Sequence, residues 1–149
     1  MAVLSWGKPT VEFAVSDGTS TPSSWTTFAS IVNGTTQLET TEGQLIEATE
    51  EGGDVVDSRR EKNKYKLSLE LFVTKGSTKP IPDSDGRILQ NYAVRLTPED
   101  PSCPGFIIPK ANVTIVETYT SADGMRWRYV FDAIKPATGA LLQSYTKGE

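Results

Sequence analysis

Alternation between apolar and polar residues dominates this chain, and its period is that of strands rather than helices. In the longest regular run Tyr65, Leu67, Leu69, Leu71 and Val73 fall on one side, and Lys66, Ser68, Glu70 and Phe72 on the other. The same pattern predicts a strand over Thr10–Val15 and a second over Trp25–Val32, the latter rich in Thr, β-branched and aromatic residues. Asn33-Gly34 follows, a pair that accepts positive φ, so Thr35–Glu39 is the expected return strand of a hairpin. Ala93–Leu96 and Phe106-Ile107-Ile108 read as short strands, and Ala111–Thr120 and Met125–Ile134 as a hairpin turning at Asp123-Gly124. On the second of these, Trp127, Tyr129, Phe131 and Ala133 share a face that looks like core, while Arg126, Arg128, Val130, Asp132 and Ile134 share the other. Ala140–Tyr145 is a last strand. A cap at Ser84-Asp85 allows one short helix to about Asn91, with Ile88 and Leu89 buried. The sum is about eight to ten strands, an all-β sandwich or barrel with at most one short flanking helix. With 149 residues and no internal repeat, the expectation is a single domain over 1–149.

The pattern breaks between Glu39 and Lys64. Glu39, Glu42, Glu47, Glu50, Glu51, Asp54 and Asp57 occur with no Lys or Arg among them; then Arg59, Arg60, Lys62 and Lys64 reverse the sign. Gln44–Ala48 and Asp54–Asp57 read as the two sides of a long hairpin with Gly52-Gly53 at its tip. Helix is the competing reading of LIEATEE, but glycines bound the segment on both sides. A polar excursion this long in so short a chain is functional or disordered. The expectation is a long charged hairpin or arm over about 39–64. Charge is polarised along the whole chain: residues 1–57 hold nine acids and one base, residues 58–149 ten acids and fourteen bases. That is not the one-sided basic footprint of a nucleic-acid binder. It suits a molecule whose negative end meets the positive end of a copy of itself.

The chain has no histidine. A Ser-His-Asp triad, a Cys-His dyad and a His-bearing zinc site are therefore impossible. Cys103 is the single cysteine, so no intrachain disulfide forms, and between Pro101 and Pro104 it reads as a half-buried loop thiol. Asp83-Ser84-Asp85-Gly86 begins like a calcium loop, but Val94 stands where the bidentate acid belongs, so it reads as a turn. The acids of the excursion look like a solvated surface, not two carboxylates held across a cleft. Trp6, Trp25 and Trp127 could form an aromatic platform for sugar, but Trp127 alternates with core residues. Arg126 and Arg128, with Lys66 on another strand, read as a solvated face. Neither an enzyme nor a cofactor or metal site is expected. No apolar run approaches the ~20 residues that span a bilayer, and MAVLSWGKPTVEF lacks the basic-then-apolar pattern of a secretion leader.

Several stretches resemble phage major tail tube proteins: Gly34-Thr35-Thr36-x-Leu38-Glu39, Thr41-Glu42-Gly43, Glu47-Ala48, Glu51-Gly52-Gly53-Asp54-Val55-Val56-Asp57, and Lys64-Tyr65-x-Leu67-x-Leu69-Glu70-Leu71-Phe72. The closing Tyr129-Val130-Phe131-Asp132-Ala133-Ile134-x-Pro136 fits the same family, to which the inner tubes of contractile injection systems are related. The resemblance implies a β-sandwich or barrel with one flanking helix. It implies six copies in a ring that continues their sheets into an inner barrel, and rings stacked into a tube. Its partners would be copies of itself and other tail proteins, with DNA as transient cargo without specific binding, no membrane and no cofactor. The location implied is the virion tail tube, assembled in the host cytoplasm. The arm would contact a neighbouring subunit or ring through Glu39, Glu42, Glu47, Glu50, Glu51, Asp54, Asp57, Arg59, Arg60 and Lys62. Its acids would dock on bases such as Arg59, Arg60, Arg87, Arg126 or Arg128 of the next subunit. The proline-rich 97–105 segment departs from the family pattern. The other expectation is a cell-surface β-sandwich that binds carbohydrate or protein, which requires an exposed aromatic row.

Overall fold

A computed structural model describes residues 3–17 and 22–147. The chain is all-β, with no helix among the described residues. Its strands are β1 (Thr10–Val15), β2 (Thr26–Thr27), β3 (Gln37–Thr41), β4 (Leu45–Thr49), β5 (Val55–Arg60), β6 (Lys64–Phe72), β7 (Tyr92–Thr97), β8 (Gly105–Thr120), β9 (Gly124–Ala133) and β10 (Gln143–Tyr145). The main sheet runs β2-β1-β7-β8-β9-β6-β3, with β10 also on β8, and every pairing is antiparallel. β4 and β5 form a hairpin of their own.

The two ends of the main sheet belong to one stretch of chain. Phe28 N–H donates to Val11 O on β1 (2.9 Å); Val32 N–H then donates to Glu70 O on β6 (2.9 Å), and Phe72 N–H to Ser30 O (2.9 Å). Residues 26–41 thus leave β1 and run along the edge of β6, drawing the two layers of the sandwich together. Phe28 seals the seam: its ring centroid lies 4.5 Å from that of Phe13 on β1 and 5.6 Å from that of Tyr129 on β9. Around it pack Val11, Val94, Ile108, Val113, Ile115, Leu67, Leu69, Leu71, Trp127 and Phe131. Full burial of such a side chain contributes about 1.5–3 kcal/mol, which explains why strict alternation, with one apolar face per strand, specifies the fold.

The sheet differs from expectation in three places. The pair Asn33-Gly34 does turn the chain, with Gly34 at φ 78°, but β3 does not fold back on β2. Residues 30–32 and β3 follow one another along the same edge of β6. The Thr35 hydroxyl fills the gap, accepting from Glu70 N–H (3.2 Å) and donating to Val32 O (2.7 Å). The strand expected over Trp25–Val32 shrinks accordingly to Thr26–Thr27. Second, the two strands expected on either side of Pro109 are one strand, β8. Pro109 and Lys110 face the single residue Ala93 of β7, a bulge that tolerates proline and bends the strand between the two layers.

Third, the expected helix over 84–91 is absent. Asp85 (φ 51°) and Gly86 (φ 84°) are both left-handed, which a right-handed helix forbids. They form a tight turn in which Ser84 and Arg87 exchange both backbone bonds. Ile88 packs against the core, but Leu89 is 88% exposed rather than buried. The loop that carries this turn is tied down from beneath. Ile81 is fully buried, its N–H donates to the Tyr129 hydroxyl (3.2 Å), and that hydroxyl donates to Ile81 O (2.8 Å). Burial pushes the Tyr129 phenol up to about 12. Asp83 accepts from Lys79 Nζ (2.7 Å) and from Gly86 N–H (2.7 Å), and Lys79 also reaches Glu117 on β8 (3.2 Å). The Lys79 and Gly86 bonds hold the Asp83 carboxyl below its ordinary value, and Asp83 in turn holds the Lys79 ammonium above its own. The 98–104 stretch is irregular, as its prolines require, and Cys103 is buried within it.

Candidate functional site

The excursion predicted from the charge pattern is a projecting hairpin. β3 ends at Thr41 opposite Lys64 of β6, and everything between leaves the body there. The base is pinned: Gly43 N–H donates to Asn63 Oδ1 (3.1 Å), Glu61 N–H to Gln44 O (3.0 Å), and Arg60 Nη1 to Gly43 O (3.1 Å). The strands touch so closely here that a Cβ on Gly43 would lie 1.7 Å from Glu61 O. Beyond the base, Leu45 pairs with Arg60, Ile46 with Arg59, Glu47 with Ser58 and Ala48 with Asp57, before a bulge near the tip. Gly52 and Gly53, both at φ 98°, make the tip turn, with Glu50 N–H donating to Asp54 O (3.0 Å).

Every residue of β4 and β5 is exposed. An isolated two-stranded hairpin is marginal in water, so this one keeps its four aliphatics, Leu45, Ile46, Val55 and Val56, in solvent without compensation from a core. The acids gather no chemistry. Glu47, Glu50, Glu51, Asp54 and Asp57 lie along the ribbon and around its tip rather than across a cleft. No group of three metal-ligating side chains occurs among the described residues. Glu39 lies in the body, opposite Lys66 on β6, so the arm proper begins after Thr41. Glu42 forms the arm's own ion pair with Arg60 (3.6 Å), worth under about 1 kcal/mol at such exposure. Arg59 lies opposite Ile46, and Lys62 is exposed just past β5.

Of the bases expected to receive the acids, Arg60 and Arg126 are already paired with acids of their own chain. Arg126 sits 3.7 Å from Glu70 and 3.8 Å from Asp123, with its guanidinium 5.5 Å from the Phe72 ring. Arg128 lies opposite Glu70 in the ladder. Arg87 is exposed on the tight turn. The tryptophans occupy three different environments. Trp127 is buried in the core, Trp6 is exposed, and Trp25 stacks on Arg95 at 4.3 Å. Arg95 is held in turn by Glu12 at 3.0 Å and flanked by Tyr145 at 5.0 Å, which ties the C-terminal strand to β7.

One feature escaped the sequence pattern. The sheet half β3-β6-β9-β8 ends in two free edges. Among the described residues β3 pairs only with β6, and Val116–Thr120 of β8 pair only with β9. β3 runs antiparallel to β6 and β8 antiparallel to β9, so the two open strands point in opposite directions. No residue type marks an open edge; its signature is the absence of a partner strand in space.

No protein-family model matches this chain, and no curated protein resembles it in sequence. Its fold has a counterpart among solved structures. A sheath/tube terminator of an extracellular contractile injection system, PVC, determined by cryo-electron microscopy in the extended state, superposes with a TM-score of 0.54. The match covers 89% of this chain and 92% of the other at 12% identity, a similarity of fold carried by architecture rather than by shared residues.

Proposed function

We propose that this chain is a structural subunit of a tail-type tube, assembling with copies of itself into rings that stack. The observation that carries the reading is the pair of free edges on β3 and β8. Exposed edges invite a further strand. Copies related by rotation about an axis along the strands would bring β8 of one beside β3 of the next, antiparallel like every other pair in the sheet. The row of Glu39, Lys66, Asp132 and Asn112 lies further along the sheet than the free part of β8, which begins at Val116. Joining the edges therefore requires a stagger, and a closed barrel requires one too. The resemblance to tail tube proteins supports six copies per ring, a bore for DNA as passing cargo, and a place in the tail beside other tail proteins. The arm, with Glu42, Glu47, Glu50, Glu51, Asp54, Asp57, Arg59, Arg60 and Lys62, is the contact to a neighbouring subunit or ring.

A second reading follows from the identity of the fold counterpart as a terminator: rings that cap a tube instead of extending it. One experiment separates the two. Concentrated protein examined by negative-stain microscopy should give tubes if the chain is the tube subunit and isolated rings if it is a terminator. Monomers at every concentration would overturn both. Replacing 42–63 with a short Gly-Ser turn should leave a folded chain that builds no tubes. Long filaments from that variant would contradict the role given to the arm.

A further inference from the structure

The seam that joins the two layers leaves an opening on one side. In the register of β1 with β2, Glu12 faces Thr27 and Phe13 faces Thr26, so Ser30 would face Pro9 if the ladder went on. Pro9 has no N–H to offer, and the ladder stops short of it. Phe28 N–H bonds Val11 O, while Ser30 O and Val32 N–H already bond β6. Ser30 makes the crossing at φ 59°, in the left-handed region that a residue with a side chain adopts at a cost. On the other bank the strap 5–9, which leads into β1, is held by Glu99. That carboxylate accepts from Lys8 N–H (3.2 Å) and lies so close to Gly7 that a Cβ there would meet it at 2.7 Å.

Between the strap and the seam lies a cleft of about 870 Å³, within the size range of small-molecule sites. Pro9, Phe28, Ile31, Val32 and Leu96 give it an apolar wall. Phe28 is its only aromatic residue and is buried, so the wall has no open ring face for a sugar. Lys8 is the only charged residue on the wall, and among the described residues its ammonium has no ion pair. Glu99 grips the strap without lining the cleft. We propose that this cleft binds a single-chain amphiphile with an anionic head, of the fatty-acid type. The chain lies along Ile31, Val32 and Leu96, and the carboxylate meets Lys8. Burial of the chain supplies affinity, and the lone ammonium sets the sign of the head and the direction of entry. A net charge of −4 opposes docking on an anionic bilayer, so the ligand is a free molecule rather than a membrane lipid. The proposal does not depend on the tube reading.

The test titrates the full chain with dodecanoate, below the concentration at which it forms micelles, and reads the heat. Dodecyltrimethylammonium, with the same chain and the opposite charge, is the control. Saturable binding is expected for dodecanoate and none for the cation. Lys8→Glu should weaken dodecanoate by roughly tenfold or more, and Ala29→Trp, which fills the cleft, should abolish binding. Both positions are exposed, so the melting temperature without ligand should hold. Amide shift changes on adding dodecanoate should gather at 5–9 and 27–36. Shift changes elsewhere, undiminished binding to Lys8→Glu or Ala29→Trp, or equal binding of the cation would each overturn the proposal, as would the lack of any saturable heat. Protein that sediments with phosphatidylglycerol vesicles but ignores dodecanoate would give the cleft to a bilayer and overturn the free-ligand assignment. Tubes can form or fail to form whichever of these results is obtained, so the two readings stand or fall separately.

Discussion

Tyr129 works as a beam with a polar end. Its ring fills the core, and its hydroxyl satisfies both backbone groups of Ile81, which have no water to turn to. Tyr129→Phe keeps the ring and leaves a buried N–H and C=O unpaired, a cost of about 1–3 kcal/mol that a urea midpoint will read. In the native chain the same burial makes one phenol titrate near 12, visible as a late step in ultraviolet absorbance on raising the pH. Asp83 and Lys79 hold the outer side of that loop. Because the Asp83 carboxyl is depressed, its contribution is complete above the ordinary carboxylate value near ~3.9 and is lost as pH falls through the lowered one. Because the Lys79 ammonium is raised, its contribution is complete below the ordinary lysine value near ~10.4 and is lost as pH climbs past the raised one. Asp83→Asn should therefore melt several degrees below the native chain at pH 7, about 2–4 °C for each kcal/mol in a domain of this size. The gap should narrow as the native carboxyl protonates in acid. Parallel melting curves across the whole pH range would rule this pair out as the source.

The segment 26–41 decides whether the two layers hold together. Phe28 touches both, through Phe13 on one side and Tyr129 and Phe131 on the other. Phe28→Ala should cost about 3–5 kcal/mol and raise hydrogen exchange first at Val32 and Phe72, whose N–H groups bind across the β6 side of the seam. The arm fails differently. Gly43→Ala drives a Cβ into Glu61 O, so the hairpin base must open while the body, which β4 and β5 do not touch as part of its core, should melt unchanged. Elements defined by their own residues were legible in advance. β1 follows from strict alternation, the β8–β9 hairpin from two apolar faces around Asp-Gly, and the arm from its acids and glycines. Pairing across distance was not. Asn33-Gly34 announces a bend but carries no information about the partner, and Leu67 and Leu71, far along the chain, claim the edge that local reasoning assigned to β2. The turn at 84–87 has a local signature too, since Asp85-Gly86 is the same dipeptide as Asp123-Gly124, where β8 turns into β9. Ser84-Asp85 fits a capping pattern and Asp85-Gly86 a turn pattern, and the two left-handed residues belong to the turn.

At the scale of the whole molecule, assembly depends on how weak each joint is. A free edge of about five residues adds a few backbone hydrogen bonds, each worth roughly 0.5–1.5 kcal/mol net. Association costs about 4–15 kcal/mol in lost freedom before any contact contributes. One β3–β8 joint between two copies is therefore marginal, and an isolated pair should fall apart. In a closed ring every copy makes two joints, and the last one forms without a further loss of translational freedom. Assembly through these edges should consequently switch on over a narrow concentration range, with monomers and complete rings populated and partial rings scarce. Sedimentation velocity across a dilution series will read that distribution. A cross-link between the edges carries the same logic: Glu39→Cys with Thr118→Cys, in the Cys103→Ser chain, should give a bismaleimide ladder that ends abruptly at the ring number. A ladder that fades smoothly from dimer to trimer, or runs on without limit, means that copies meet through some other surface and that the open edges are solvated ends rather than joints.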